Sequence, residues 1–187
     1  MIGFILMLIF MLPAHARTIV GIDFDESMRL ADYGQSLKLN GLGVRYKFFF
    51  KIYIAALYVE RMTEDANKVL TDTGAKRMVM HFLYDEVSRD KLIDAWNEGF
   101  EGNLSEAQLQ RLSSRIEQFN DLFTTVVTGD VVVLDFIPGI GTRMMLNDVE
   151  QGVIQGDDFN RALLSIWLGQ QPVTDELKNA LLGRAEE

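Results

Sequence analysis

Arg45, Lys47, Lys51 and Tyr53 fall on one parity of a strand-like run. A period-2 backbone would place these three cations and a phenol on the same sheet face. In a chain with 18 Lys+Arg against 27 Asp+Glu, and a net charge of −9, that cluster is unexpected. If helices cover the face, Arg45 is desolvated, and its planar fork can take a carboxylate bidentately with the Tyr53 hydroxyl as a further donor. If the face is open to water, the same residues form a lysine-decorated surface that discourages edge pairing. The sequence leaves both readings open.

Other chemistries are easier to exclude. The chain has 0 Cys, so disulfides, thiolate nucleophiles, zinc ribbons and iron–sulfur ligation are ruled out. Its 2 His are His15 and His81. A metal centre or a Ser/His/Asp triad would therefore rest on His81, which reads as a strand residue in MVMHFLY. We expect no metal and no cofactor, since neither a Walker loop nor GxGxxG is present. No basic block exists to displace phosphate counterions, which argues against a nucleic-acid partner. Asp85-Glu86 and Asp157-Asp158 read as acids favouring helix N-termini. Asp135, inside the apolar strand VVVLDFI, is expected on the solvated face.

The elements that must position these residues can be read from periodicity. Thr18 to Phe24, Gln35 to Leu39, Val44 to Glu60 and Lys76 to Tyr84 read as strands, the third long enough to need a bend or bulge. The period then changes to 3.6: Leu92, Trp96 and Phe100 mark a helix capped by Ser88. Leu112, Ile116, Phe119 and Phe123 mark another, opened by Asn103-x-x-Glu106. Val131 to Ile137 and Thr142 to Asn147 flank a Pro138-Gly139-Ile140-Gly141 turn, so they read as a hairpin. Phe159, Leu163 and Ile166 mark a helix stopped by Gly169, and Leu177 and Leu181 one capped by Thr174 and ended by Gly183. The order predicts an α+β domain, with helices on one face of a mainly antiparallel sheet.

Ile2 to Leu12 is apolar and is followed by Pro13 and Ala14-His15-Ala16, the pattern of a secretory signal cleaved after Ala16. It is too short to span a bilayer. We therefore expect a signal peptide at 1–16, a single domain at 17–187, export to the periplasm if the cell is Gram-negative, and no membrane span after processing. Oligomeric state is not legible.

L-N-G-L-G-V-R at Leu39 to Arg45, leading to K-I-Y-I-A-A-L-Y-V-E at Lys51 to Glu60, resembles the chalcone isomerase family. So do Y-D-E-V-S-R-D-K-L-I-D-A-W from Tyr84, the closing hairpin and the D-F-N-R-A-L-L-S-I-W-L-G helix. Together they are most similar to the secreted bacterial chalcone-isomerase-like branch, over nearly the whole chain after Ala16. The resemblance implies an open-faced β-sandwich, a large antiparallel sheet covered by a layer of helices. In the plant enzymes it implies an Arg, a Thr, a Tyr and an Asn around a cleft where a chalcone closes to a flavanone. There the Arg stabilises charge developing on the ketone oxygen.

By that resemblance Arg45 matches the family Arg and Tyr84 the family Tyr. The Thr position falls on Tyr53 and the Asn position on Lys91, which are departures in volume and charge. Around Gly156 to Asp158, where the enzymes have a last hydroxyl, no Ser or Thr occurs. Another branch binds fatty acids, with an Arg and a Tyr on the carboxylate and a cavity for the tail. Arg45 and Tyr53 fit that arrangement, with Phe49 and Trp96 as candidate cavity residues. Three readings follow. The first is a binding protein for a small amphipathic anion such as a fatty acid. The second is an isomerase (intramolecular lyase) for a phenolic enone using Arg45 and Tyr84, and the third is a structural or partner-binding envelope protein.

Overall fold

The stretch from Val44 to Glu60, expected as one long strand, is instead two strands folded back on each other. β4 (Ser36–Lys47) and β5 (Phe50–Val59) form a hairpin whose turn is Phe48-Phe49, with Lys47 opposite Phe50. Alternation read straight through the run misses the turn because aromatic residues occupy it, where Gly or Asn is usual. The computed structural model describes residues 16–30 and 33–184, and the expected leader, apart from Ala16, lies outside them.

Ahead of the hairpin come β1 (Ala16–Ile19), β2 (Ile22–Asp25) and β3 (Ser27–Arg29). After it come α1 (Ala66–Thr71), β6 (Lys76–Phe82), β7 (Glu86–Val87), α2 (Arg89–Asn103) and α3 (Glu106–Asp121). The chain closes with β8 (Val126–Val127), β9 (Val131–Ile137), β10 (Gly141–Leu146), β11 (Val149–Ile154), α4 (Asp157–Leu168) and α5 (Asp175–Leu181). A 7-stranded sheet in the order β11-β10-β9-β6-β5-β4-β3 is antiparallel at every pairing. This is the large antiparallel sheet with a helical layer that the sequence predicts.

Strand alternation sorts the core by face. Tyr53, Ala55, Leu57, Met78, Met80, Phe82, Leu134 and Phe136 point to the helices, where Trp96, Phe100, Phe119, Phe123, Phe159 and Trp167 pack against them. Each such buried aromatic contributes about 1.5–3 kcal/mol. The opposite parity, including Ile54, Ala56, Tyr58 and Val79, forms a second core with Phe24, Leu30, Leu37 and Leu39. The β1–β2 hairpin thus closes over part of the face that the helices leave free.

Caps end the helices largely as expected. Ser88 caps α2 and Thr174 caps α5. Gly183, at φ 67°, closes α5 in a Schellman turn, with its N–H on Ala180 O and that of Arg184 on Asn179 O. The capping box of α3 is Ser105 with Gln108, in place of Asn103-x-x-Glu106. The Asn103 side chain instead donates to Gly99 O and Gln171 O, tying the end of α2 to the loop after α4. Asp158 pairs with Arg115, so its role extends beyond favouring the α4 N-terminus.

Asp135 overturns the solvated-face expectation, being 0% exposed. Neighbouring strands put Arg77 and Arg143 directly opposite it. Arg77 donates through Nε at 2.5 Å and Nη2 at 2.8 Å, and Arg143 through Nη2 at 2.8 Å. Two guanidinium groups supply the opposite charge and the hydrogen bonds that a carboxyl group removed from water requires.

Candidate functional site

The β4–β5 register builds the site. A bulge between Arg45 and Tyr46 leaves Ile52 as the extra residue of β5 and makes Arg45 the direct partner of Tyr53. Cross-strand partners share a face, so Arg45 stands beside Tyr53 on the helix side. Lys51 pairs with Tyr46 and falls on the other face, which corrects the expectation that it shares one with Arg45. Bulges of this kind have no signature in residue types.

Tyr53 is 6% exposed, and Trp167 of α4 donates its indole N–H to the Tyr53 hydroxyl at 3.1 Å. Burial raises the Tyr53 hydroxyl above its ordinary value, while the Trp167 hydrogen bond and the Arg45 charge pull the other way. The phenol therefore stays neutral and keeps its own proton, for which no acceptor occurs among the described residues. Arg45 is half-buried, and no carboxylate or carbonyl among the described residues pairs with it. Trp96 packs against Trp167 in a tilted arrangement with ring centroids 5.7 Å apart, and its own indole Nε1 is buried without a hydrogen-bond partner among the described residues.

The arrangement is rich in donors and poor in acceptors: the Arg45 guanidinium and the Tyr53 phenol proton stand on directly paired residues of β4 and β5. Buried polar groups almost always find partners, and an acceptor that carries negative charge would suit both. Sequence reasoning missed Trp167. Its signal was a tryptophan on the buried stripe of a helix, where the N–H must find an acceptor.

The other expected site residues lie elsewhere. Phe49 occupies the hairpin turn at 80% exposure, which corrects its expected place in the sheet–helix layer. Tyr84, half-buried in the loop after β6, sets its ring edge-on to Phe50 at 5.4 Å, and no hydrogen bond or ion pair joins it to Arg45. Lys91 is exposed in the first turn of α2. Trp96 is 3% exposed in the layer expected for it. His81 is half-buried on β6, with its pKa lowered by desolvation. The described residues contain no group of three or more His, Cys, Asp or Glu that could hold a metal ion.

Aromatic rings pack the layer between sheet and helices. Trp96 meets Phe123 at 5.4 Å and Phe119 at 6.2 Å, and Tyr53 meets Phe82 at 5.6 Å. A cavity of about 500 Å³ lies at the other end of β5, lined by Val59, Glu60, Lys68, Asp72 and Lys76 among others. There the buried Lys76 donates to Asp72 O at 2.6 Å and Gly74 O at 2.8 Å, and desolvation lowers its pKa. Another, of about 270 Å³, lies between α1, α3 and α4. None of the described helices is long and apolar enough to cross a membrane.

Comparison with known proteins gives the fold a context. A family model described as chalcone isomerase-like matches residues 16–183. No curated protein matches the sequence. Among solved structures, an Arabidopsis thaliana fatty-acid binding protein superposes with a TM-score of 0.59 at 13% identity, covering 84% of this chain and 96% of that one. At that identity the likeness speaks for the fold.

Proposed function

Because the chain belongs to the chalcone isomerase-like family, we propose that it is a non-catalytic binding protein for a small amphipathic carboxylate such as a fatty acid, working outside the cytoplasm. The observation that carries this reading is the half-buried Arg45, without an anionic partner among the described residues, directly opposite the buried Tyr53. A carboxylate would accept from the guanidinium and from the phenol proton. The name of the Arabidopsis protein of similar fold supports the same ligand class. The acyl chain would lie among Trp96, Trp167 and Phe123, whose rings must rotate to admit it, and each methylene buried there contributes about 0.8 kcal/mol. Tyr84 sets its ring against Phe50, and the exposed Lys91 stands where the plant enzymes have Asn, which favours binding over enone cyclisation. Export remains part of the proposal and rests on the apolar segment before Ala16.

Titration with a long-chain fatty acid tests the reading through the chain's own fluorescence, since its 2 tryptophans, Trp96 and Trp167, both lie in the layer that must open. Saturable change in that emission is expected. Arg45→Ala should weaken binding at least about tenfold, or 1.4 kcal/mol. Equal affinity of the variant would remove Arg45 from the site and the proposal with it.

A further inference from the structure

The β4–β5 turn carries bulky apolar side chains where loops usually place polar ones. Phe48 is 86% exposed and Phe49 80%, with Tyr46 at 45% and Phe50 at 43% beneath them. Phe49 and Phe50 pack tilted against each other with centroids 4.4 Å apart, and Tyr84 braces Phe50 from the side. Phe48 adopts a φ of 56°, a left-handed conformation that is an outlier for a bulky residue. Asparagine or glycine would relieve that strain and remove the exposed ring, so the turn holds two phenylalanines outward against local preference.

Charge around the tip runs against the rest of the protein. Arg45, Lys47 and Lys51 lie within a few residues of the turn, and none pairs with a carboxylate among the described residues, in a chain of net charge −9. The acids next to Tyr84, Asp85 and Glu86, are exposed and follow it in the chain. A convex two-residue point offers too little area for a stable protein interface, which needs roughly 1,000 Å² or more. It suits a lipid interface, where small apolar wedges insert and flanking cations meet phosphate head groups.

We propose that this hairpin tip docks the protein on an anionic lipid bilayer. Phe48 and Phe49 insert among the acyl chains, Tyr46, Phe50 and Tyr84 lie at head-group depth, and Lys47 and Lys51 contact lipid phosphates on either face of the hairpin. The overall negative charge turns the remaining surface away, so the cations at the tip select the orientation. The inference stands independently of the fatty-acid reading, because the residues it sets on the bilayer, Phe48, Phe49, Lys47 and Lys51, are not donors of that site.

The test compares the full chain and its variants on phosphatidylcholine vesicles with and without phosphatidylglycerol. Binding is expected on the mixed vesicles and should fall with salt. F48N/F49S, which keeps a residue tolerant of positive φ in the turn, should weaken it about a hundredfold. K47E or K51E should each weaken it by about fivefold or more. Because the apolar N-terminal segment could bind lipid by itself, a local probe is needed. F49W emission should shift to the blue on the mixed vesicles and be quenched by lipids brominated on their acyl chains. An unshifted F49W, equal binding by F48N/F49S, or a lipid-free dimer that F48N/F49S dissociates would each overturn the proposal.

Discussion

Trp167 Nε1 donates to Tyr53 Oη at 3.1 Å, across 114 residues of sequence. The bond pins α4 to the sheet and pairs the indole N–H with the phenol oxygen in an otherwise aromatic layer. Removing one partner leaves the other buried and unpaired, which costs about 1–3 kcal/mol. We expect Trp167→Phe and Tyr53→Phe each to lower the unfolding free energy in denaturant by that order. The double variant should cost less than their sum, because it removes both orphaned groups together. Strictly additive losses would show that the bond contributes nothing of its own.

The Arg77–Asp135–Arg143 arrangement makes a sharper stability test. Asp135→Ala removes the carboxylate between two guanidinium groups whose side chains are 16% and 9% exposed. Breaking a buried ion pair from one side typically costs about 3–5 kcal/mol. The variant should lose stability on that scale in urea, while a substitution at the exposed Asp94 of α2 should change it by less than about 0.5 kcal/mol. A loss at Asp135 no larger than at Asp94 would mean that water reaches the guanidinium groups.

Acid should weaken the contact between α3 and α4. Arg115 donates to both Asp158 oxygens, at 2.6 and 2.8 Å, and this hydrogen bonding holds the Asp158 carboxyl below its ordinary value of 3.8. The unfolded chain therefore takes up the proton first as pH falls. Stability from the pair is complete above about pH 3.8 and is lost as pH drops through the lower folded-state value. Asp158 is 43% exposed, so screening limits the gain to roughly 1 kcal/mol or less. Wild type and Asp158→Asn should differ by that amount near neutral pH and converge in strong acid. A gap independent of pH would assign the effect to something other than charge.

Parity and helical spacing were enough to find a mainly antiparallel sheet and α2 to α5. They fail where one residue changes the count. The Phe48-Phe49 turn carries no Gly, Asn or Asp, so the hairpin reads as one strand and Phe49 is assigned to the interior. The Ile52 bulge then restores Arg45 to the same face as Tyr53 while moving Lys51 to the other. β11 was missed because Val149-Glu-Gln-Gly-Val-Ile154 barely alternates, although Asn147 and Asp148, at φ 50° and 64°, form the turn that produces it. Asp135 was misplaced for a different reason. Its partners come from two other strands, and a single strand's pattern cannot show that both sheet faces are covered.

The last expectation concerns how closely α5 can approach the sheet. A bulge between Leu39 and Gly41 turns the Asn40 side chain toward the helix, where it donates to Leu181 O at 2.8 Å and to Thr63 O at 3.1 Å and accepts from Thr63 N at 2.8 Å. That lock works because β4 presents no side chain beside it. A Cβ on Gly41 would collide with the backbone oxygen of Ala180, and one on Gly43 would come within 2.6 Å of the Ala180 Cβ. Backbone on both sides cannot yield as a side chain can, so Gly41→Ala must push α5 outward, loosening Asn40 and opening Leu177 and Leu181 to water. Overpacking of this kind costs about 1–3 kcal/mol, occasionally more. Hydrogen exchange should quicken in α5 and leave the β6–β9 pairing unchanged, since that part of the sheet lies under other helices. Unchanged protection in α5 would show that the helix accommodates the methyl group, and that the glycine is not what sets its distance from β4.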